Sequence, residues 1–402
     1  MNNISLKKSF LIYIILLIIS VIFFLYTKHS VGNDSSISEW LINFNGGFTR
    51  RGFGGETAII LANLLDLSLR KSIFLIQTTL HVFYLILIFF YFRNLKLNIL
   101  QLFALYAPIF LLYPIAEIEV LGRKEIILFL FFITVIFFSE KKYPSKIINS
   151  QIFFVLPIVI LLWEQVVLYI PFFSVILIIK NNLNNFKDTF NKLFIIFFPS
   201  IVTFVYVFVT PLSNSGHDLM CNFLIIEFGE ECYMSANMLV SSTIYFDTFS
   251  WIHQNANFEH YLRYIIIFII GFMPLNILIL KNNFIKKNNF ITKNFKLNIL
   301  FLCLYSPSLL LFAYGYDWGR WINITYTFSI LLYFYFLKNS IISNNLNIKN
   351  KIWNKVIRKK ILISFMFVMF AFSWNPKTVI TGDVASFPGY RIPYKIFKIL
   401  KN

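Results

Sequence analysis

Charged side chains are scarce in this chain. Asp, Glu, Lys and Arg together supply 13% of its 402 residues, about half the share usual in a soluble domain. That scarcity excludes an ordinary water-soluble fold. Acidic residues are the rarer kind, 18 against 36 basic ones. The resulting net charge of +18 does not point to nucleic acid, because most Lys and Arg flank hydrophobic runs instead of forming a patch. Cysteine is almost absent, and three residues are too few for a disulfide framework. Nucleotide-binding glycine loops, nucleophile elbows and zinc signatures are all missing. His217, His253 and His260 lack the tight spacing of metal ligands, so neither a metal nor a cofactor is expected.

What the chain has in excess is apolar residues: 58% of the total, with 50 Phe. Hydrophobic segments fall at 9–27, 56–69, 72–92, 97–115, 124–139, 151–179, 191–212, 263–280, 297–314, 321–338 and 361–375. This pattern predicts an all-α polytopic integral membrane protein with about 10–12 transmembrane or re-entrant helices. The first run, Phe10 to Tyr26, follows Lys7 and Lys8 as in a signal peptide. It lacks a small-residue cleavage site and is therefore expected to stay as the first helix. No internal repeat appears, and the Asn/Lys-rich connectors are too short to fold alone. Residues 1–402 are expected to form a single multi-pass domain.

Sidedness follows from the positive charges. With the N-terminus cytoplasmic, Lys7/Lys8, Arg93/Lys96, Lys141/Lys142/Lys146, Lys180/Lys187/Lys192, Lys281 to Lys296 and Lys338 to Lys360 all fall inside. The longest loop, 213–262, then lies outside. It carries Asp218, Glu227, Glu230, Glu231, Asp247 and Glu259 and no Lys or Arg, as the positive-inside rule requires. Two segments must bend to keep this register. Segment 56–69, with Asn63 and Asp66, is expected to dip in and return, leaving Arg70 and Lys71 outside. Segment 151–179, interrupted by Pro157, Glu164-Gln165 and Pro171, is expected to be a broken pair of helices. Cys221 and Cys232 share the outer loop, and a disulfide between them would add up to ~3 kcal/mol of loop order. Cys303 lies in a hydrophobic span.

With this sidedness every glycine- or charge-rich motif lands on the outer face. The strongest is 43–56, which holds five of the 14 glycines together with Arg50, Arg51 and Glu56. Gly46, Gly47 and Gly52 allow tight turns or close approach to a ligand. Arg50 and Arg51 offer forked donors for phosphate or pyrophosphate, or else they snorkel to lipid headgroups. Glu56 suits a helix N-terminus, a general base, or a partner that holds an arginine in place. The turn Glu117 to Glu125 contains Arg123 and Lys124, either as a solvated connector or as a second phosphate contact. Glu164, inside an apolar run, is a base or a member of a buried pair. Asp317 and Arg320 lie three apart and can pair along one helical turn. Tyr314, Tyr316, Trp318 and Trp321 crowd this turn, either as an interfacial aromatic belt or as rings that suit the apolar face of a sugar.

A basic, aromatic, carboxylate-bearing cavity on an outer face suits transfer of a sugar from a lipid-linked (pyro)phosphate. Arginines neutralise the leaving group, a carboxylate takes the acceptor's proton, and aromatics hold the sugars. In this layout, and in Arg50-Arg51-Gly52 and Asp317-Trp318-Gly319-Arg320, the chain resembles bacterial O-antigen or capsule polymerases (Wzy-type) and EpsG-like exopolysaccharide proteins. It is also similar in layout to the lipid-dependent GT-C glycosyltransferases. Those enzymes place acidic residues in the first outer loop, where this chain offers Asp34, Glu39 and Glu56 without an adjacent acidic pair.

The resemblance implies glycosyl transfer or polymerisation at the periplasmic face of a bacterial inner membrane. The implied partners are a polyprenyl-(pyro)phosphate-linked glycan, membrane lipids and other polysaccharide-assembly proteins. Glu56, Glu164 or Asp317 would supply the base, and Arg50, Arg51, Arg123, Arg320, Trp318 and the glycines would bind substrate. The alternatives are a transporter or flippase for a lipid-linked or anionic solute, and a scaffold.

Overall fold

The structure, a computed structural model, describes residues 4–5, 7–30, 35–140, 142–233, 235–239, 244–285, 288–343, 360–382 and 385–386. Asp34, Lys141, Lys286, Lys287, the basic residues within 344–359, Asp383 and the tail Pro388 to Arg391 lie outside them. The protein is an all-α polytopic membrane protein. Among the described residues, six helices are long and apolar enough to cross a bilayer. They are α1 (Lys7–Ser30), α4 (Leu69–Phe92), α9 (Ser145–Leu162), α11 (Phe186–Val209), α14 (Phe258–Lys281) and the pair α16 (Leu297–Tyr305) and α17 (Leu309–Tyr314). Shorter helices fill in between: α2 (Ser35–Leu41), α3 (Gly52–Leu65), α5 (Ile99–Leu105), α6 (Tyr113–Ala116), α7 (Ile118–Leu121), α8 (Glu125–Phe138), α10 (Ile170–Lys180), α12 (Asn214–Phe228), α13 (Ile244–Asn255), α15 (Phe290–Asn294) and α19 (Lys360–Phe372).

Helix α18 (Trp318–Lys338) is the axis of the bundle. Its residues from Gly319 to Phe336 are all buried. With 21 residues it is about 31 Å long, enough to cross a membrane. Phe328 stacks on Phe132 of α8 at 4.0 Å and meets Phe172 and Phe173 of α10. The outer helices turn apolar faces to the surroundings, as with Leu11, Ile12, Leu16 and Ile19 on α1 and Phe194, Ile195, Phe198 and Val202 on α11. Such a surface is stable only against lipid.

Contacts separate two ends of the bundle. At one end β1 (Ile4–Ser5) pairs with β2 (Lys96–Leu97), Lys338 bonds Glu140 at 2.7 Å, and Leu183 O accepts from Phe290 N at 2.7 Å. The basic connectors grouped by the sequence therefore share this end. At the other end the 213–239 segment meets the first polar stretch. Arg70 pairs with Glu230 at 2.6 Å and Ser38 bonds Ser235 at 3.0 Å. A Cβ added at Gly46 would lie 1.8 Å from Gly216 O, so only glycine permits that approach.

Several expectations are modified. Segment 97–115 is not one helix. Pro108 and Pro114 break it, and irregular backbone runs between α5 and α6. Helix α18 satisfies that backbone. Asn323 Nδ2 donates to Ile109 O and Phe110 O at 2.8 and 3.0 Å, and Tyr326 OH donates to Ala104 O at 2.7 Å. Non-helical chain at membrane depth survives only with such partners.

Segment 56–69 does not dip and return. Helix α3 is one 14-residue helix, about 21 Å long. Gly46 before it lies against Gly216 and Arg70 after it pairs with Glu230, so both flanks of α3 meet the 213–232 region. Arg70 does stand on the loop side, as expected. Segment 151–179 is the expected broken pair, divided at Trp163, where the backbone is extended. The 213–262 loop is itself largely helical, in α12 and α13, and a Cys221–Cys232 disulfide closes it. Cys303 is free and exposed.

Candidate functional site

The loop before α3 is shaped by its own glycines. Gly47 takes φ +105° in a turn closed by its N–H to Phe44 O at 2.9 Å. A Cβ at Gly52 would strike the Phe44 ring at 2.5 Å, and one at Gly55 would meet Ile42 O at 2.0 Å. Glu56 accepts from Phe44 N at 3.2 Å and ties the loop to the helix. These close approaches are chain against chain.

Arg51, the residue preceding α3, is held at φ 65°, a left-handed conformation that costs a non-glycine residue of order 1 kcal/mol. Its carbonyl accepts Lys124 Nζ at 2.7 Å. Its guanidinium reaches across 113 residues of sequence to Glu164. Nε lies 2.9 and 3.2 Å from the two carboxylate oxygens and Nη2 lies 2.7 Å from Oε1. Glu164 occupies the turn between α9 and α10, at the start of a six-residue 3₁₀ stretch to Tyr169. It is therefore a group at a helix break, not one within a crossing helix.

A layer of buried charge continues from this pair. Glu39 of α2 is 2% exposed and accepts from Arg123; Arg320 Nη2 lies 3.9 Å from the same oxygen. Arg320 also pairs with Glu125 and with Asp317. Trp40 Nε1 and Gln77 Nε2 donate to Gly122 O at 2.7 and 2.8 Å, fixing the turn that carries Arg123, Lys124 and Glu125. Half-buried Arg51 and Arg123 and buried Arg320 each pair with a carboxylate among Glu39, Glu125, Glu164 and Asp317, and buried Lys124 feels the charges of Glu39 and Glu164, which is how charge away from water is tolerated. Beyond it, Lys377 bonds Glu117 at 3.2 Å, and Thr378 O accepts from Gly319 N at 3.0 Å.

The charges shift one another. Burial alone would raise Glu164, but Arg51 outweighs it and holds the carboxyl down to about 2. Burial likewise opposes ionisation of Glu39, and Arg123 with Arg320 brings it down to about 2. Lys124, fully buried in the turn before α8, is lowered by burial to about 7 despite Glu39.

A cavity of about 640 Å³ opens beside this layer. Arg50, Glu164 and Gln165 line its polar end, and Trp321 and Tyr314 add rings. Phe204, Val207 and Phe208 of α11 and Leu310 and Leu311 of α17 supply apolar lining, and Pro211, Leu212 and Leu239, flanking the Cys221–Cys232 bridge in sequence, border it as well. Trp321 is 4% exposed and its indole N–H has no acceptor among the described residues. Phe208 and Leu310 are 69% and 54% exposed, so the cavity reaches the lipid-facing surface between α11 and α17.

The structure thus gathers Arg50, Arg51, Arg123, Glu164, Asp317 and Arg320 at one end of the bundle, as the sequence implied. It divides their roles. Arg50 and Glu164 border the cavity, whereas Asp317, Arg123 and Arg320 belong to the buried layer behind it. Asp317–Arg320 is the one-turn ion pair. Glu56 and the loop glycines hold the loop. Trp318 packs among Tyr261, Tyr264 and Phe312, and Trp321 takes the cavity wall instead. The sequence sets Gln165 beside Glu164, and Tyr314 and Trp321 around the Asp317 turn, but of these singles out only Glu164, with Trp318, as site residues, and it does not foretell the partnership of Glu39 with Arg123. Only the placement of Glu39 in the first polar loop hinted at the last.

No protein-family model, curated protein or solved structure matches the chain.

Proposed function

We propose that the protein is a membrane glycosyltransferase or polymerase of surface-polysaccharide assembly that draws its sugar from a polyprenyl-(pyro)phosphate carrier. The observation that carries this reading is the two-natured cavity. One end bears Arg50, Glu164 and Gln165, and the other is an apolar slot between α11 and α17 that reaches the lipid-facing surface. An anionic headgroup on a long isoprenoid chain has the same division, with the chain left in the bilayer. A water-soluble nucleotide sugar would have no use for the slot.

In the proposed step, an acceptor hydroxyl oxygen attacks the anomeric carbon of the donor sugar. The glycosidic bond forms as the bond from that carbon to the phosphate oxygen breaks. The electron pair leaves with the (pyro)phosphate, whose growing charge Arg50 and Arg51 neutralise. The hydroxyl proton passes to Glu164. Trp321 and Tyr314 offer faces for sugar rings. The absence of Lys and Arg from 213–262, against the basic connectors at the opposite end, favours a periplasmic cavity, a cytoplasmic N-terminus and a bacterial inner membrane.

The test is product analysis in membranes supplied with a polyprenyl-diphosphate sugar. Wild-type protein should lengthen or transfer the glycan. Arg51→Lys should lower the rate about a hundredfold with expression intact, because the planar fork is lost. Full activity in that variant would remove the phosphate clamp. Movement of the substrate across the bilayer without a new glycosidic bond would make the protein a transporter.

A further inference from the structure

Resting on that reading, we propose that the Arg51–Glu164 pair is a latch opened by the donor itself: an incoming diphosphate replaces the Glu164 carboxylate on the Arg51 fork, and the released carboxylate becomes the base.

Position supports the exchange. Glu164 lines the cavity and Arg51 does not. An anion entering the cavity therefore meets the carboxylate before it meets the guanidinium behind it. The two-pronged contact, Nε and Nη2 against both carboxylate oxygens, is the geometry a phosphate offers equally well. Glu164 thus makes with Arg51 the contact that a substrate anion would make. Arg50 stands on the same wall, so a diphosphate would find a second cation beside the first.

The two halves of the latch are mounted differently. The Arg51 backbone is pinned, because Lys124 Nζ holds its carbonyl at 2.7 Å and Gly46 and Gly55 lock the surrounding loop. Glu164 instead begins a 3₁₀ stretch between two helices, a segment type that often marks a hinge. The carboxylate is the half that can swing away. Its release also prepares it for proton transfer. Arg51 is what keeps the Glu164 carboxyl low, and burial, which pushes the other way, would then prevail. One binding event would clamp the leaving group and raise the basicity of the acceptor-side carboxylate.

The exchange predicts that Glu164 competes with the ligand. Full-length protein in nanodiscs would be titrated with farnesyl diphosphate as the prenyl-diphosphate probe. Glu164→Gln should bind the probe on the order of tenfold more tightly than wild type, since a neutral amide no longer competes for the fork. It should also lose transfer activity. Glu164→Asp keeps the charge but shortens the reach, and should tighten binding by a smaller factor. Glu230→Gln removes a carboxylate from the same end of the bundle without touching Arg51, and should leave the affinity unchanged.

Equal or weaker binding by folded Glu164→Gln, or no change in Glu164→Asp, would overturn the latch while leaving the lipid-donor reading in place. Tightening of the same size in Glu230→Gln would also overturn it, by reducing the effect to general charge. Failure of wild type and Glu164→Gln alike to bind farnesyl diphosphate would overturn both the latch and the lipid-donor reading.

Discussion

Glu39 and Arg123 are 84 residues apart in sequence, yet the Arg123 Nη1 donates to the Glu39 carboxylate inside the protein, where Glu39 is 2% exposed. Arg320 lies 3.9 Å from the same oxygen. One carboxylate therefore answers two guanidiniums, the three groups coming from three separate polar stretches. Replacing Glu39 by Gln keeps the shape but takes from Arg123 its carboxylate partner, while Arg320 keeps Glu125 and Asp317. Breaking a buried pair in this way costs about 3–5 kcal/mol. Glu39→Gln should markedly lower the melting temperature in detergent, whereas Lys142→Gln, whose partner contact is largely solvent-exposed, should change it little.

Lys124 gives the protein a pH signature of definite sign. Burial lowers its pKa from 10.5 to about 7 in the folded state. Between those values the unfolded chain holds a proton that the folded chain has released. Stability should therefore rise with pH from about 7 toward 10.5 and be smallest below the folded value, with a slope of at most ~1.4 kcal/mol per pH unit. Melting temperatures measured across pH 7–10 check this. Lys124→Met should flatten the rise, and an unchanged slope in that variant would place its origin elsewhere.

The division between what sequence disclosed and what it hid has a physical cause. Runs of Ile, Leu and Phe declare spans because lipid imposes length and apolarity on each segment by itself. Lysines in the connectors declare sidedness for the same local reason. Thus the grouping of Arg50, Arg51, Glu164, Asp317 and Arg320 at one end was legible. Partner choice was not, because it depends on packing across distant segments. Nothing near Glu164 announces Arg51. Trp318 and Trp321 sit on one helix in one motif, and only the neighbours Tyr261 and Phe312 decide that Trp318 is packed away while Trp321 reaches the cavity. The broken stretch before α6 was hidden for a related reason. Its apolar composition suggests a helix, while the groups that make irregular backbone tolerable, Asn323 and Tyr326, come from α18.

The Cys221–Cys232 bridge closes a short loop in a segment that also borders the cavity through Leu212 and Leu239. With its ends 11 positions apart in sequence, it should contribute about 2–3 kcal/mol to order in that region. Reduction, or the Cys221→Ser/Cys232→Ser double variant, should lower the melting temperature and speed proteolysis between 213 and 239. Protection of the buried layer around Glu39 against hydrogen exchange should change less, since its ion pairs do not pass through the bridge. Equal loss in both regions would show that the loop and the charged layer unfold as one unit.

Filling the apolar slot separates substrate binding from stability. Val207 is 4% exposed on α11 and faces the cavity of about 640 Å³. That space is large beside the ring system a Val207→Trp substitution adds, so the new side chain can enter the slot without overpacking the bundle. It would occupy the region assigned to the isoprenoid chain and leave Arg50, Arg51 and Glu164 untouched. The melting temperature should stay close to wild type, while affinity for farnesyl diphosphate falls at least tenfold and inorganic diphosphate, which has no chain to place, is bound as before. Equal loss of both ligands would mean that the ring had disturbed the charged end. Undiminished farnesyl diphosphate binding would mean that the chain takes another path, and the slot between α11 and α17 would have to be given a different occupant.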